Sequence, residues 1–155
     1  MKTQGKGKYS PEEALAKARK YCALQERCAS EVKAKLFEWC GDAVAENEII
    51  SQLTKENFLS ESRFANLFVR SKINQKRWGR LKIQFELQQR FIPAEIIHVA
   101  LNDIDENQYL ENLRYLKLKK EKETTGHDEF NREMKIKAYL ATKGYEYEYI
   151  NKVFK

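Results

Sequence analysis

Three segments of the chain repeat one pattern at intervals that suit a helical repeat. "EIISQL" begins at Glu48, "EIIHVAL" at Glu95 and "EYINKVF" at Glu148. Each is a Glu, an apolar pair (Ile49/Ile50, Ile96/Ile97, Tyr149/Ile150) and a further apolar residue three positions on (Leu53, Ala100, Val153). Their starts lie 47 and 53 residues apart. Repeats of that length are small helical units that bury their apolar faces against neighbours. The expected architecture is all-α, with three tandem three-helix repeats over residues 10–57, 58–103 and 104–155. Residues 1–9, "MKTQGKGKY", read as a disordered basic tail with no apolar stretch behind it, so not a secretory signal.

The helix punctuation supports this reading. Ser10, Pro11 and Glu13 form a capping-box signature, and Ala14, Leu15, Ala18, Tyr21 and Cys22 follow at helical spacing. A second helix starts near Ser30, carries Val32, Leu36 and Trp39 inward, and stops at Gly41. A third spans roughly 45–55 with Ile49, Ile50 and Leu53. The pattern then restarts with Phe64, Leu67 and Phe68, and again with an Asp105 cap followed by Gln108, where Tyr109, Leu113 and Leu116 form the stripe. Six Gly and two Pro in 155 residues leave little material for a loop-rich or all-β fold.

One stretch is two-sided. "RLKIQFEL" alternates Leu81, Ile83, Phe85 and Leu87 as a strand does. As a helix it would be apolar over most of its circumference, the mark of a central, buried element. Helical neighbours and the lack of strand partners favour the helix, with Phe64, Phe68, Phe85 and Phe91 expected in the core.

Charge is the second informative feature. Residues 63–90 hold eight Lys or Arg and one acid, a net +7 against +6 for the whole chain. The basic character is therefore local. Arg63, Arg70 and Arg77 fall seven apart and would line one face of a helix that ran that far, with Lys72, Lys76, Arg80 and Lys82 around them. Such a block attracts a polyanion, and Arg also pairs bidentately with carboxylate or phosphate. The alternatives are a merely solvated helix face and, for Arg63, an ion pair to Glu61 or Glu31 within its own unit. Trp78 either stacks on a base or fixes the angle between two helices, with Gly79 allowing close approach. The tyrosines of "YEYEY" and Tyr139 mix core and surface, with Tyr147 the one suited to a partner.

Cys22, Cys28 and Cys40 read as reduced, mostly buried thiols of a cytosolic protein. A zinc site would need His98 or His127, and no CxxC or HxxxH spacing accompanies them. No phosphate loop or nucleophile–base set is present, so neither cofactor nor catalysis is expected. No apolar run of about 18 residues suggests a membrane span.

The middle of the chain resembles the RecX family, regulators of the bacterial recombinase RecA. The resemblance rests on Phe58, Leu59, Glu61, Arg63, Phe64 and Ala65, then Trp78, Gly79, Ile83, Leu87 and Ile92. It extends more loosely to Arg27, Ser30, Glu31, Val32 and Leu36, and to the closing "KGYEYEYINKVF". Where the family usually has Gly before Ile92, this chain has Phe91. The resemblance implies an elongated array of three-helix units. It also implies a non-enzymatic, monomeric partner of RecA and of its filament on single-stranded DNA, restraining ATPase, filament growth and strand exchange. The candidate contact residues are Arg63, Arg70, Lys72, Lys76, Arg77, Trp78, Arg80 and Lys82. A stand-alone helical nucleic-acid-binding protein, touching DNA directly, is the competing reading of the same block.

Overall fold

In the computed structural model, which describes residues 7–126 and 128–155, all regular structure is helical. The order is α1 (Pro11–Leu24), α2 (Ala29–Trp39), α3 (Ala43–Lys55), α4 (Glu61–Ser71), a π-helical turn (Lys72–Lys76), α5 (Arg80–Gln89), α6 (Ala94–Asn102), α7 (Glu106–Glu123), α8 (Glu129–Thr142) and α9 (Tyr147–Val153). The chain packs as two compact units. The first runs to Leu67 and includes Arg90–Ile92; the second comprises Phe68–Gln89 and Pro93–Lys155.

In the first unit α1, α2 and α3 pack against one another. The capping box at Ser10 and Glu13 forms as the sequence indicates, satisfying backbone donors at both residues. Asp42 caps α3 through the N–H groups of Val44 and Ala45. The core is Ala14, Ala18, Cys22, Val32, Leu36, Cys40, Ile49, Leu53 and Leu59. Truncating a fully buried leucine such as Leu36 or Leu53 to Ala costs about 2–5 kcal/mol at such positions. All three thiols are buried and free, and burial holds those of Cys22 and Cys28 above their usual pKa. Residues 1–6 of the expected tail lie outside the described residues. Tyr9 lies against α2, its N–H donating to the Trp39 carbonyl at 3.0 Å and its ring lying under Lys17.

In the second unit α7, α8 and α9 pack mutually, and α5 packs on α6. "RLKIQFEL" is α5, a helix, but not one buried all round. Only Ile83 and Leu87 are buried, one turn apart, while Leu81 and Phe85 are half exposed. The strand-like alternation thus splits into a buried i, i+4 pair and an exposed one. Phe85 and Phe91 are not core residues as expected; Phe64 is. The Asp105 cap forms through the Asn107 N–H, but Gln108 does not reach back to it and instead donates to Asn74.

A shared detail marks the second helix of each helical triplet. The residue beyond its end is left-handed: Gly41 at φ 61°, Phe91 at φ 59° and Gly144 at φ 98°. Phe91 therefore keeps the turn that a glycine would make, with its ring 82% exposed. A Cβ in that region costs about 1–2 kcal/mol, whereas glycine adds about 0.4–1 kcal/mol of unfolded-chain entropy. Because the exposed ring contributes little burial, Phe91→Gly is expected to stabilise the chain by about 0.5–1 kcal/mol, raising Tm by about 2 °C. A thermal melt that leaves Tm unchanged or lowers it would show that the ring gains its cost back by packing.

Candidate partner-binding surface

The basic stretch is broken by a change of helix type. α4 ends at Ser71, and the wider π-turn follows, where both the Arg77 and Trp78 N–H groups donate to the Lys72 carbonyl. Single π-turns within α-helical chain are frequent at functional sites. Arg77 closes this one at φ 53°. The α-helix thus stops short of Arg77, and the predicted stripe of Arg63, Arg70 and Arg77 on one helix face does not form.

Gly79 then sets the path of the chain within the second unit. Its N–H donates to the Lys143 carbonyl at 2.7 Å, and the Leu81 N–H donates to the Gly144 carbonyl at 2.9 Å. A Cβ on Gly79 would lie 2.3 Å from the Gly144 carbonyl carbon, so the two backbones touch with no side chain between them. The phenol of Tyr145 locks the same corner by donating to the Arg77 carbonyl at 2.7 Å.

The eight predicted contact residues divide by their partners. Arg63 belongs to the first unit and is engaged there: its guanidinium bonds Glu26 at 3.0 Å and the Asn57 carbonyl at 2.7 Å. The ion pair is real, though to neither of the acids expected. Arg80 is an internal strut of the second unit. It bonds Glu146 at 3.0 Å and Glu106 at 2.7 Å, while its guanidinium lies 4.0 Å from the Tyr109 ring centre. Tyr109 accepts from the Arg80 N–H and donates to Glu146, and Tyr149 donates to Glu106. Burial, with the Glu146 hydrogen bond, pushes the Tyr109 phenol well above its usual pKa.

Arg70, Lys72, Lys76, Arg77 and Lys82 have no carboxylate partner among the described residues. Three of them rest on aromatic rings. Lys72 and Lys82 place their ammonium groups 4.8 and 4.6 Å from the centre of the half-buried Trp78 ring, and Arg77 lies 3.9 Å from that of Tyr115. Phe68 packs edge-on to Trp78. Trp78 is therefore both a junction residue beside Gly79 and a platform for two cations. Sequence reasoning missed Phe68 and Tyr115 in this arrangement; Tyr115 comes from α7, and no local signal ties it to Arg77. Arg70 and Lys76 are exposed, as is Tyr147, whereas Tyr145 is buried.

Within the first unit, Phe37 and Phe91 line a cleft of about 680 Å³ with Lys33 and Arg90. Among the described residues no group of three His, Cys, Asp or Glu is placed to hold a metal, and no helix is long and apolar enough to cross a membrane.

Comparison with known proteins places this geometry in a family. Residues 60–101 match the second three-helix domain of RecX and residues 106–154 the third. Regulatory protein RecX of Clostridium acetobutylicum is 30% identical over 81% of this chain and 59% of its own length. That of Prosthecochloris aestuarii is 27% identical over 86% of this chain and 85% of its own. The chain spans little more than half the length of the clostridial relatives. The crystal structure of RecX from Lactobacillus salivarius superposes with a TM-score of 0.84 at 25% identity, covering 93% of this chain and 94% of that one. With two successive domains of one family matched over more than half its length, and the same all-helical fold of three-helix repeats, the chain belongs to the RecX family of regulatory proteins.

Proposed function

We propose that this chain regulates the recombinase RecA, binding RecA and its filament on single-stranded DNA and restraining ATP hydrolysis, filament growth and strand exchange. The observation that carries the reading is that Arg70, Lys72, Lys76, Arg77 and Lys82, around Trp78, have no carboxylate partner among the described residues, in a chain of a regulatory family. A nucleoprotein filament is a long polyanion, and unpaired Lys and Arg supply attraction that falls steeply with salt. The protein acts as a cytoplasmic monomer without chemistry of its own. It works as three three-helix units, residues 10–57, 58–103 and 104–155. The repetition is supported by the left-handed residues that end the middle helix of each, Gly41, Phe91 and Gly144. Of the eight candidate residues, Arg70, Lys72, Lys76, Arg77, Trp78 and Lys82 face the partner, while Arg63 and Arg80 serve by holding the units in shape.

The test is DNA-dependent ATP hydrolysis by RecA of the same organism, with the protein titrated from far below the RecA concentration. Inhibition at sub-stoichiometric amounts is expected. Replacing Arg70, Lys72, Lys76 and Lys82 together by Ala is expected to raise the half-inhibitory concentration about tenfold or more at moderate salt. None of the four forms an ion pair among the described residues, so each replacement is expected to cost no more than about 0.5–1 kcal/mol, the upper end for Lys72 and Lys82 over the Trp78 ring. Inhibition only when the DNA itself is saturated would instead mark a plain nucleic-acid-binding protein. No inhibition at any ratio would end the reading.

A further inference from the structure

The cations around Trp78 do not end at Lys82. The Gly79–Lys143 hydrogen bond brings α8's end to the foot of the Trp78 turn, and Lys82 lies against Gly144: a Cβ built on Gly144 would stand 2.4 Å from the Lys82 Cβ. Lys143 in turn has its ammonium 5.8 Å from the ring centre of Tyr139, and Lys120 of α7 approaches the same ring at 4.7 Å. Tyr139 is half-buried and lines a shallow cleft of about 600 Å³ with Lys120, Lys135, Thr125 and Glu123. Lys120, Lys135 and Lys143 have no carboxylate partner among the described residues, whereas their neighbours Lys117 and Lys137 are paired with Glu121 and Glu133. Among the described residues Glu123 is the one acid lining the cleft, against two lysines there and Lys143 beside it.

The second unit therefore carries two stations of one design, a half-buried ring flanked by two ammonium groups without a carboxylate partner among the described residues, joined through the Gly79–Gly144 contact. We propose that Lys72–Trp78–Lys82 and Lys143–Tyr139–Lys120 form one continuous track for a single strand of nucleic acid, bases against the two rings and phosphates on the four lysines. Rings bind a single strand through base faces, which a duplex hides, and lysines bind its backbone without regard to sequence. An acidic protein segment would use the charges but leave the rings idle. This inference rests on the regulatory reading above and assigns the track to the DNA strand of the filament rather than to RecA.

The decisive experiment omits RecA. Binding of the full chain to a fluorescent oligo-dT is followed by anisotropy over a range of salt. Tyr139→Leu keeps every hydrogen bond in which the residue takes part, all of them through its backbone, and is expected to weaken binding about tenfold. The double change Lys120→Gln with Lys143→Gln is expected to weaken it and to reduce the slope of log affinity on log salt by about 1.4. Lys35→Gln, which removes a paired charge from the first unit, is expected to shift affinity less than twofold. The track is overturned if the chain fails to bind oligo-dT, if Tyr139→Leu binds as well as the parent while melting at the same temperature, or if duplex DNA or poly-glutamate competes as well as oligo-dT. RecA inhibition is scored separately. Inhibition by a parent chain that does not bind oligo-dT refutes the track and leaves the regulator, and oligo-dT binding through Tyr139 without inhibition does the reverse.

Discussion

Arg80→Ala is expected to cost about 3 kcal/mol and to loosen the second unit as a whole. The side chain is only 17% exposed and holds two carboxylates, Glu106 at the start of α7 at 2.7 Å and Glu146 in the turn before α9 at 3.0 Å, while covering the Tyr109 ring. Removing one member of a buried ion pair leaves the other as an uncompensated charge, which costs about 3–5 kcal/mol. Glu106 is more than half exposed, so solvent screens its share and the lower end applies. Urea unfolding followed by circular dichroism reads the loss directly, and Arg80→Met with Glu146→Gln is expected to recover part of it by removing the stranded charge. The acid limb gives a second signature. Glu106 has its pKa lowered by the Tyr149 hydrogen bond and then by Arg80. A carboxylate depressed in the folded state contributes stability above its unfolded pKa and loses it as pH falls through the folded one. The parent should therefore lose stability on acidification more steeply than Arg80→Ala does. An unchanged urea midpoint would mean that Arg80 is a surface cation after all. The consequence for function is practical: a binding defect in any variant lacking Arg80 reports a damaged fold, not a lost contact.

What could be read from the sequence was what is local. The Ser10 capping box lies within one turn, and its side chains bond each other's backbone, so it was fully legible. The recurrence at Glu48, Glu95 and Glu148 survives because each copy faces the same packing problem. The charged stretch was legible as a block but not residue by residue. Arg63 and Arg80 look like Arg70 in the sequence; only tertiary partners 26 to 66 residues away, Glu26, Glu106 and Glu146, separate struts from free cations. The π-turn defeated the seven-residue stripe because periodicity arguments assume that the helix type persists. Phe85 was misplaced for a related reason: alternation in a short apolar run does not say which face of a helix finds a neighbour. The Tyr139 station was invisible, since its lysines come from α7 and the end of α8, and their link to Trp78 runs through backbone atoms of two glycines.

Those glycines set the second large effect. At Gly79 an added methyl meets the Gly144 carbonyl carbon at 2.3 Å, its oxygen at 2.4 Å and the Tyr145 nitrogen at 2.4 Å. All are backbone atoms, held by the 2.7 Å bond from Gly79 to Lys143 and the 2.9 Å bond from Leu81 to Gly144, so no rotamer change relieves the clash. Gly144→Ala meets Lys82 at 2.4 Å and adds the strain of a side chain at φ 98°. Either replacement must push α5 and the α8–α9 turn apart or break their hydrogen bonds, a loss of about 3–5 kcal/mol. Amide hydrogen exchange distinguishes the two ways of failing. If the helices separate, protection is lost at Gly79 and Leu81 together, while Tyr145, whose N–H donates to Leu140 in its own turn, and α1–α3 in the first unit keep theirs; if the chain unfolds in one step, protection falls everywhere by the same factor. Retained protection at Leu81 with an unchanged melting temperature would show that the backbone yields at little cost. The glycines matter to binding for the same reason that they matter to stability. Their contact is what makes one track out of two stations, so Gly79→Ala should weaken single-strand binding more than Tyr139→Leu, although neither glycine has a side chain to offer a ligand.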